Sequence, residues 1–235
     1  MAKHRLTRAP KINYARAALG VTIAASALAS TPALAETPQT ASPVSSLTRA
    51  AHAVPASGHK QEPVKESPKV AKPTAAQVLA LAKKQVGQSE DGNGGGTKFQ
   101  KWYMNSQRAA ETVKRDGGSR TAYLNAAWCA MFVSWVGEET GARSTVGWDA
   151  YTVAHAKWFK NNERWGSSAK PGAVVFFSWS GSKSLDSIQH VGFVLKDNGN
   201  GTISTVEGNT GNGKVEERVR PKSQVVGYGY PEYGA

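Results

Sequence analysis

The sequence predicts an α+β fold in which helices come first and an antiparallel sheet follows. Apolar residues recur at helical spacing between Thr74 and Asn162. From Ala173 onward they fall instead into short strand-like runs, and Asn/Gly-rich turns such as Asn198-Gly199-Asn200-Gly201 separate those runs. Helical and extended segments grouped in this order define the α+β class rather than an alternating parallel fold.

The folded part begins late in the 235-residue chain. Residues 1–16 carry Lys3, Arg5, Arg8, Lys11 and Arg16 without an acid. An apolar, small-residue run AALGVTIAASALA follows, and then Ala33-Leu34-Ala35. This order predicts a secretory signal over residues 1–35, cut before Glu36, and the apolar run is too short to anchor the chain in a bilayer. Residues 36–73 are rich in Pro, Ala, Ser and Thr and lack aromatics, so they bury too little apolar area to offset chain entropy and are expected to be a disordered tether. One domain, residues 74–235, remains. Its 19 bases against 14 acids make it mildly basic. Neither a Lys/Arg stripe nor a nucleic-acid motif accompanies that charge, so nucleic acid is not an expected partner. No stable membrane insertion is expected after signal cleavage.

The first helix is expected in TAAQVLALAKKQVG, with Thr74 as cap, Val78, Leu81, Ala82 and Val86 as the apolar face, and Gly87 as terminator. A turn-rich loop, SEDGNGGG, then leads into an aromatic segment around Phe99, Trp102 and Tyr103. Its acids fail the spacing of a calcium loop, so the reading is a solvated glycine-rich loop with no metal. Beyond Asn125, Cys129, Phe132, Val133 and Val136 mark a second helix, which ends at Thr140-Gly141. A third fits DAYTVAHAKWFKNN. Four strands are expected in AVVFFSW, HVGFVLKD, TISTVEG and KVEERVR.

Cys129 is the only cysteine of a chain that reads as exported, which points to a reactive thiol or an intermolecular disulfide. Its place in the first turn of a helix, where unpaired N–H groups and the positive dipole end gather, favours an anionic sulfur. Buried packing is the competing reading, since free cysteine behaves as a small hydrophobe. The domain holds two histidines. His155 lies within a helical segment and reads as exposed or interfacial. His190 starts a strand, with Gly192 and Val194 on its own face and Val191, Phe193 and Leu195 on the other. On the next strand Glu207 and Asn209 share a face if the strand runs on through Gly208. A carboxylate or amide there would bond one ring nitrogen of His190 and leave the other for a thiol.

WCAMFVSW, followed by HVGFVL and TVEGNTG, resembles the CHAP family of cysteine amidohydrolases and peptidases. The likeness extends to LAKKQVGQSE, TKFQKWY, KPGAVVFF and RVRPKSQVVGYGYPEY. It departs at Ala173, where the family's turn often carries Asp. The resemblance implies a papain-like fold, N-terminal helices packed on an antiparallel sheet, and cleavage of amide bonds in bacterial peptidoglycan without a cofactor. It implies Cys129 as nucleophile, His190 as general base and acid, Glu207 as the group orienting His190, and Asn209 as a supporting polar residue. The Cys129 N–H is the first expected oxyanion donor, with Asn125 or Tyr123 as candidates for the second. Trp128 and Trp179 are candidate substrate-binding residues, Trp179 at the cleft rim. Trp148 is a further aromatic that would suit a groove or the core.

The expected protein is thus a secreted monomer, extracellular or associated with the cell wall, acting as an N-acetylmuramoyl-L-alanine amidase or a peptide endopeptidase. The alternatives are an inactive wall-binding module on the same fold, or a secreted effector that hydrolyses a protein amide.

Overall fold

The computed structural model describes residues 71–235. The expected signal and almost all of the expected tether lie outside them. Six α-helices precede or flank six strands: α1 Ala75–Lys83, α2 Lys98–Asn105, α3 Gln107–Asp116, α4 Cys129–Glu139, α5 Arg143–Val146 and α6 Thr152–Asn161, then β1 Trp165–Gly166, β2 Val174–Phe177, β3 His190–Asp197, β4 Thr202–Thr210, β5 Lys214–Pro221 and β6 Val225–Gly229. The sheet is antiparallel throughout, in the order β1-β6-β2-β3-β4-β5. Among the described residues no helix is long and apolar enough to cross a membrane.

The helix starts follow from local chemistry. Thr74 and Thr97 each accept the N–H of a glutamine three residues on, Gln77 and Gln100, whose side chain bonds back to the cap N–H. The aromatic segment after the glycine-rich loop is therefore a helix, α2. Helix α3 was not anticipated, because it is polar almost all round and buries only Ala109 and Thr112. Helix α1 stops at Lys83, so Val86 is not on its apolar face but largely exposed.

Helix α4 is the axis of the domain. Every residue from Cys129 to Gly137 is buried, well beyond the one apolar face that its spacing predicts, because α1, α2, α5, α6 and the sheet pack around it. Phe99 of α2 stacks on Trp128 at 5.2 Å and meets Phe132 and Trp135 edge-on at 5.3 and 5.2 Å. The helix-facing side of the sheet adds Val174, Phe176, Val191, Phe193 and Val206 to this core. The opposite face holds a smaller cluster of Val175, Phe177, Val194, Ile203, Val225 and Tyr228. The alternation expected for β3 is present, with Phe177 opposite His190 and Val175 opposite Gly192. Strands β1 and β6, outside the expected set of four, close the far edge.

His155 departs from expectation. It is wholly buried in α6, stacked on Phe159 at 5.5 Å, with Nε2 2.6 Å from the Val146 carbonyl.

Candidate active site

The site forms where the start of α4 meets the starting end of β3 and the finishing end of β4. Trp128, the residue before α4, gives no side-chain cap, so the first-turn N–H groups beside Cys129 are left without one. Cys129 is a free thiol, 5% exposed, in the lining of a cavity of about 210 Å³. Tyr123, Tyr151, Thr152 and Gln189 form the polar part of that cavity, and alanines with Met131 form the rest. No charged side chain lines it, which suits a neutral amide.

His190 is brought to the sulfur from the other layer. Its Nε2 lies 2.9 Å from Glu207 Oε2, which leaves Nδ1 as the nitrogen free for Cys129, the neighbour that also favours a charged ring. Burial opposes a charged ring, but the bonds to Cys129 and Glu207 outweigh it and push His190 up to about 9. The imidazole is therefore an imidazolium at neutral pH. Glu207 is fully buried, and burial alone would raise its carboxyl. Bonds from Arg220, His190 and Thr205 reverse this and hold it down to about 2. Thr205 Oγ1 donates to Oε1 at 2.6 Å. Trp179 is exposed at the rim, with its ring 5.3 Å from that of His190 and stacked on Phe177 at 5.8 Å.

Two sequence expectations need correction. Trp128 does not line the cleft: it has no exposed surface, stacks on Phe99, and donates Nε1–H to Glu90 Oε1 at 2.7 Å. Asn209 does not share a face with Glu207 opposite His190. The register of β4 on β5 shifts between Glu207 and Thr210, and Asn209 adopts a left-handed backbone with φ 54°. With its amide oxygen accepting the Trp128 N–H at 3.0 Å, its nitrogen reaches Glu90 Oε1 at 3.2 Å. Asn209 thus fixes the residue before Cys129. Gly208 belongs to the same device, since a Cβ there would lie 2.6 Å from Phe132 and 2.7 Å from Trp128.

The glycine-rich loop is also more than a solvated turn. Glu90 joins Trp128 to Asn209, and Gln100, at the base of the loop, donates Nε2–H to the Ala126 carbonyl at 3.0 Å, bracing the approach to Cys129. Of the two candidates for a second oxyanion donor, Tyr123 lines the cavity and Asn125 does not, being packed against Gly95. Burial and contact with Tyr151 push the Tyr123 phenol up to about 12, so it stays a donor. Trp148 lies away from this cleft, under the Arg143 guanidinium at 4.4 Å.

Sequence reasoning missed Arg220. It sits in KVEERVR, whose charges read as a solvated strand face. The one available signal was the alternation that puts Arg220 on the same side as Glu216 and Arg218, opposite buried Ile203.

A thiol beside an imidazole that is bonded to a buried carboxylate, on an α+β scaffold, has the makings of a nucleophile, a base and the group that orients it. The family model of the CHAP domain matches residues 121–209, from the turn before α4 to the end of β4. The matched stretch, less than half of the chain, is similar to that family and holds Cys129, His190 and Glu207. No curated protein matches the chain.

Proposed function

We propose that the protein is a secreted cysteine hydrolase that cuts an amide bond of bacterial peptidoglycan. The observation that supports this reading best is the buried His190 ring, 2.9 Å from Glu207 and beside Cys129, which lines a cavity free of Lys, Arg, Asp and Glu side chains. Cys129 attacks as the thiolate: sulfur bonds to the scissile carbonyl carbon and the carbonyl electron pair moves to oxygen. In this reading the Cys129 N–H and the hydroxyl of Tyr123, which lines the same cavity, receive that oxyanion. As the tetrahedral centre collapses, the C–N bond breaks and His190 gives its Nδ1 proton to the leaving amine. Water then attacks the thioester, His190 takes its proton, and the acid product leaves with the pair restored. Glu207 keeps the imidazole oriented throughout and favours its charged form before the proton is given up and after it is regained. Trp179 offers a flat apolar ring to the wall polymer at the rim.

The bond is either that between muramoyl lactate and the first alanine or one within the peptide, since the same groups serve both. Residues 1–35 serve as the export signal, residues 36–73 as the tether, and residues 74–235 as the monomeric catalytic domain, secreted to the extracellular space or cell wall. The test is mass spectrometry of fragments released from purified peptidoglycan, where the new amino terminus identifies the bond. The native protein should release fragments, and Cys129→Ala should release none while still folding. Release by the alanine variant would overturn the reading, and wall binding without release by the native protein would favour a binding module.

A further inference from the structure

Resting on the roles just given to Cys129, His190 and Glu207, we infer that Arg220 is a positioning residue of the site, acting on His190 through Glu207. It comes from β5, outside the stretch that the family model matches. Its guanidinium meets the carboxylate side-on, with Nη2 2.5 Å from Oε2 and Nε 2.9 Å from Oε1. This is the two-point geometry that fixes a carboxylate's plane as well as its charge. The oxygen that receives Nη2 is the one that receives His190 Nε2. Arg220 therefore fixes where the imidazole's anchor sits. Its own position is set by Thr210 Oγ1 at 3.0 Å and by the Trp179 ring, whose centre is 5.0 Å from the guanidinium carbon. One side chain thus joins the exposed rim, the buried carboxylate and the end of β4.

The charges around Glu207 make the effect readable. His190 faces it from β3, with Cys129 of α4 behind the ring, and Arg220 faces it from β5. Glu216 and Arg218, on the same side of β5, are paired with each other at 3.0 Å. Without Arg220 the carboxylate keeps one cationic neighbour in a buried site, and it takes up a proton at higher pH than in the native protein. A protonated Glu207 no longer favours an imidazolium, and the thiolate opposite loses its partner.

The test reads that pair without wall substrate. The rate of Cys129 alkylation by iodoacetamide is measured against pH for the native protein, Arg220→Gln and Arg220→Lys, with circular dichroism melts as a folding control. In Arg220→Gln the acid limb should move up by at least about one pH unit. In Arg220→Lys, which keeps the charge and loses the fork, it should stay near native. Wall hydrolysis by Arg220→Gln at pH 7 should fall about 10- to 100-fold, with KM changing less than about 3-fold. A native acid limb in a folded Arg220→Gln protein would overturn the inference, as would an equal, pH-independent loss in both variants. If Arg220→Gln does not fold, Arg220→Met takes its place: an acid limb moved up by at least about one pH unit supports the inference, and a native limb in the folded variant overturns it. If the native protein fails to hydrolyse peptidoglycan at all, the proposed function fails while the alkylation profiles still decide the role of Arg220.

Discussion

The domain buries two imidazoles almost equally and charges only one. His155 in α6 has no exposed surface and His190 at the start of β3 is 5% exposed. Burial pushes both towards the neutral form. Around His155 it wins: aromatic rings enclose it, its bond is to the Val146 carbonyl, and Nδ1 has no partner. Around His190 it loses, because a carboxylate anchored by Arg220 and Thr205 lies on one side and a thiol on the other. The comparison teaches that neighbours, not depth, turn a histidine into a working group. The same sequence supplies one histidine packed among aromatic rings and one set between a carboxylate and a thiol.

The largest expected effect separates the two directly. His190→Ala should lower wall hydrolysis by about 10³-fold or more, because both proton transfers lose their carrier, whereas His155→Phe should keep the native kcat per folded molecule. A steady-state assay corrected for folded protein measures both, and comparable losses in the two variants would break the comparison. Next in size is Glu207→Gln, which keeps the shape of the anchor and removes its charge. Hydrolysis should fall about 10²-fold. The active form needs a protonated His190 and is lost as pH rises through its pKa of about 9. Taking away the carboxylate's charge lowers that pKa, so the alkaline limb of the rate profile should move to lower pH. An unmoved limb would mean that Glu207 only fills space.

The smallest effect is on stability. His155→Phe leaves the Val146 carbonyl without its donor and should cost about 1–3 kcal/mol at pH 7, measured by denaturant unfolding. The pH dependence sharpens this. A histidine whose folded pKa lies below its unfolded value stabilises the native state fully above the unfolded pKa and loses that contribution as pH falls. The native protein should therefore lose stability below about pH 6.5, and the phenylalanine variant should lack that part of the slope. Identical slopes would show His155 to be free to take a proton in the folded protein.

Much of this was legible in the sequence, for identifiable reasons. Cys129 and His190 each start an element, and chain direction places such residues at the ends of elements, where sites form. Glu207 was legible because two-residue alternation holds along β4 up to that point. Asn209 lies two residues further on, past the shift in pairing, and there the alternation rule fails. The fate of Trp128 depends on Phe99, a neighbour from another helix that no local pattern reveals. Arg220 was hidden by its setting, since a strand of alternating charges describes a solvated edge equally well. Helix α3 was missed because a helix that buries little carries little apolar signal.

The central claim is that His190 is an imidazolium at neutral pH because Glu207 and Cys129 hold it so, while His155, just as deep, is not. Titration of the two imidazoles by nitrogen-15 NMR tests this most directly. The expected result is one ring that stays charged up to a pH of about 9 and loses that behaviour in Cys129→Ala, beside a second that is neutral at pH 7. A His190 ring already neutral at pH 7 in the native protein would contradict the account.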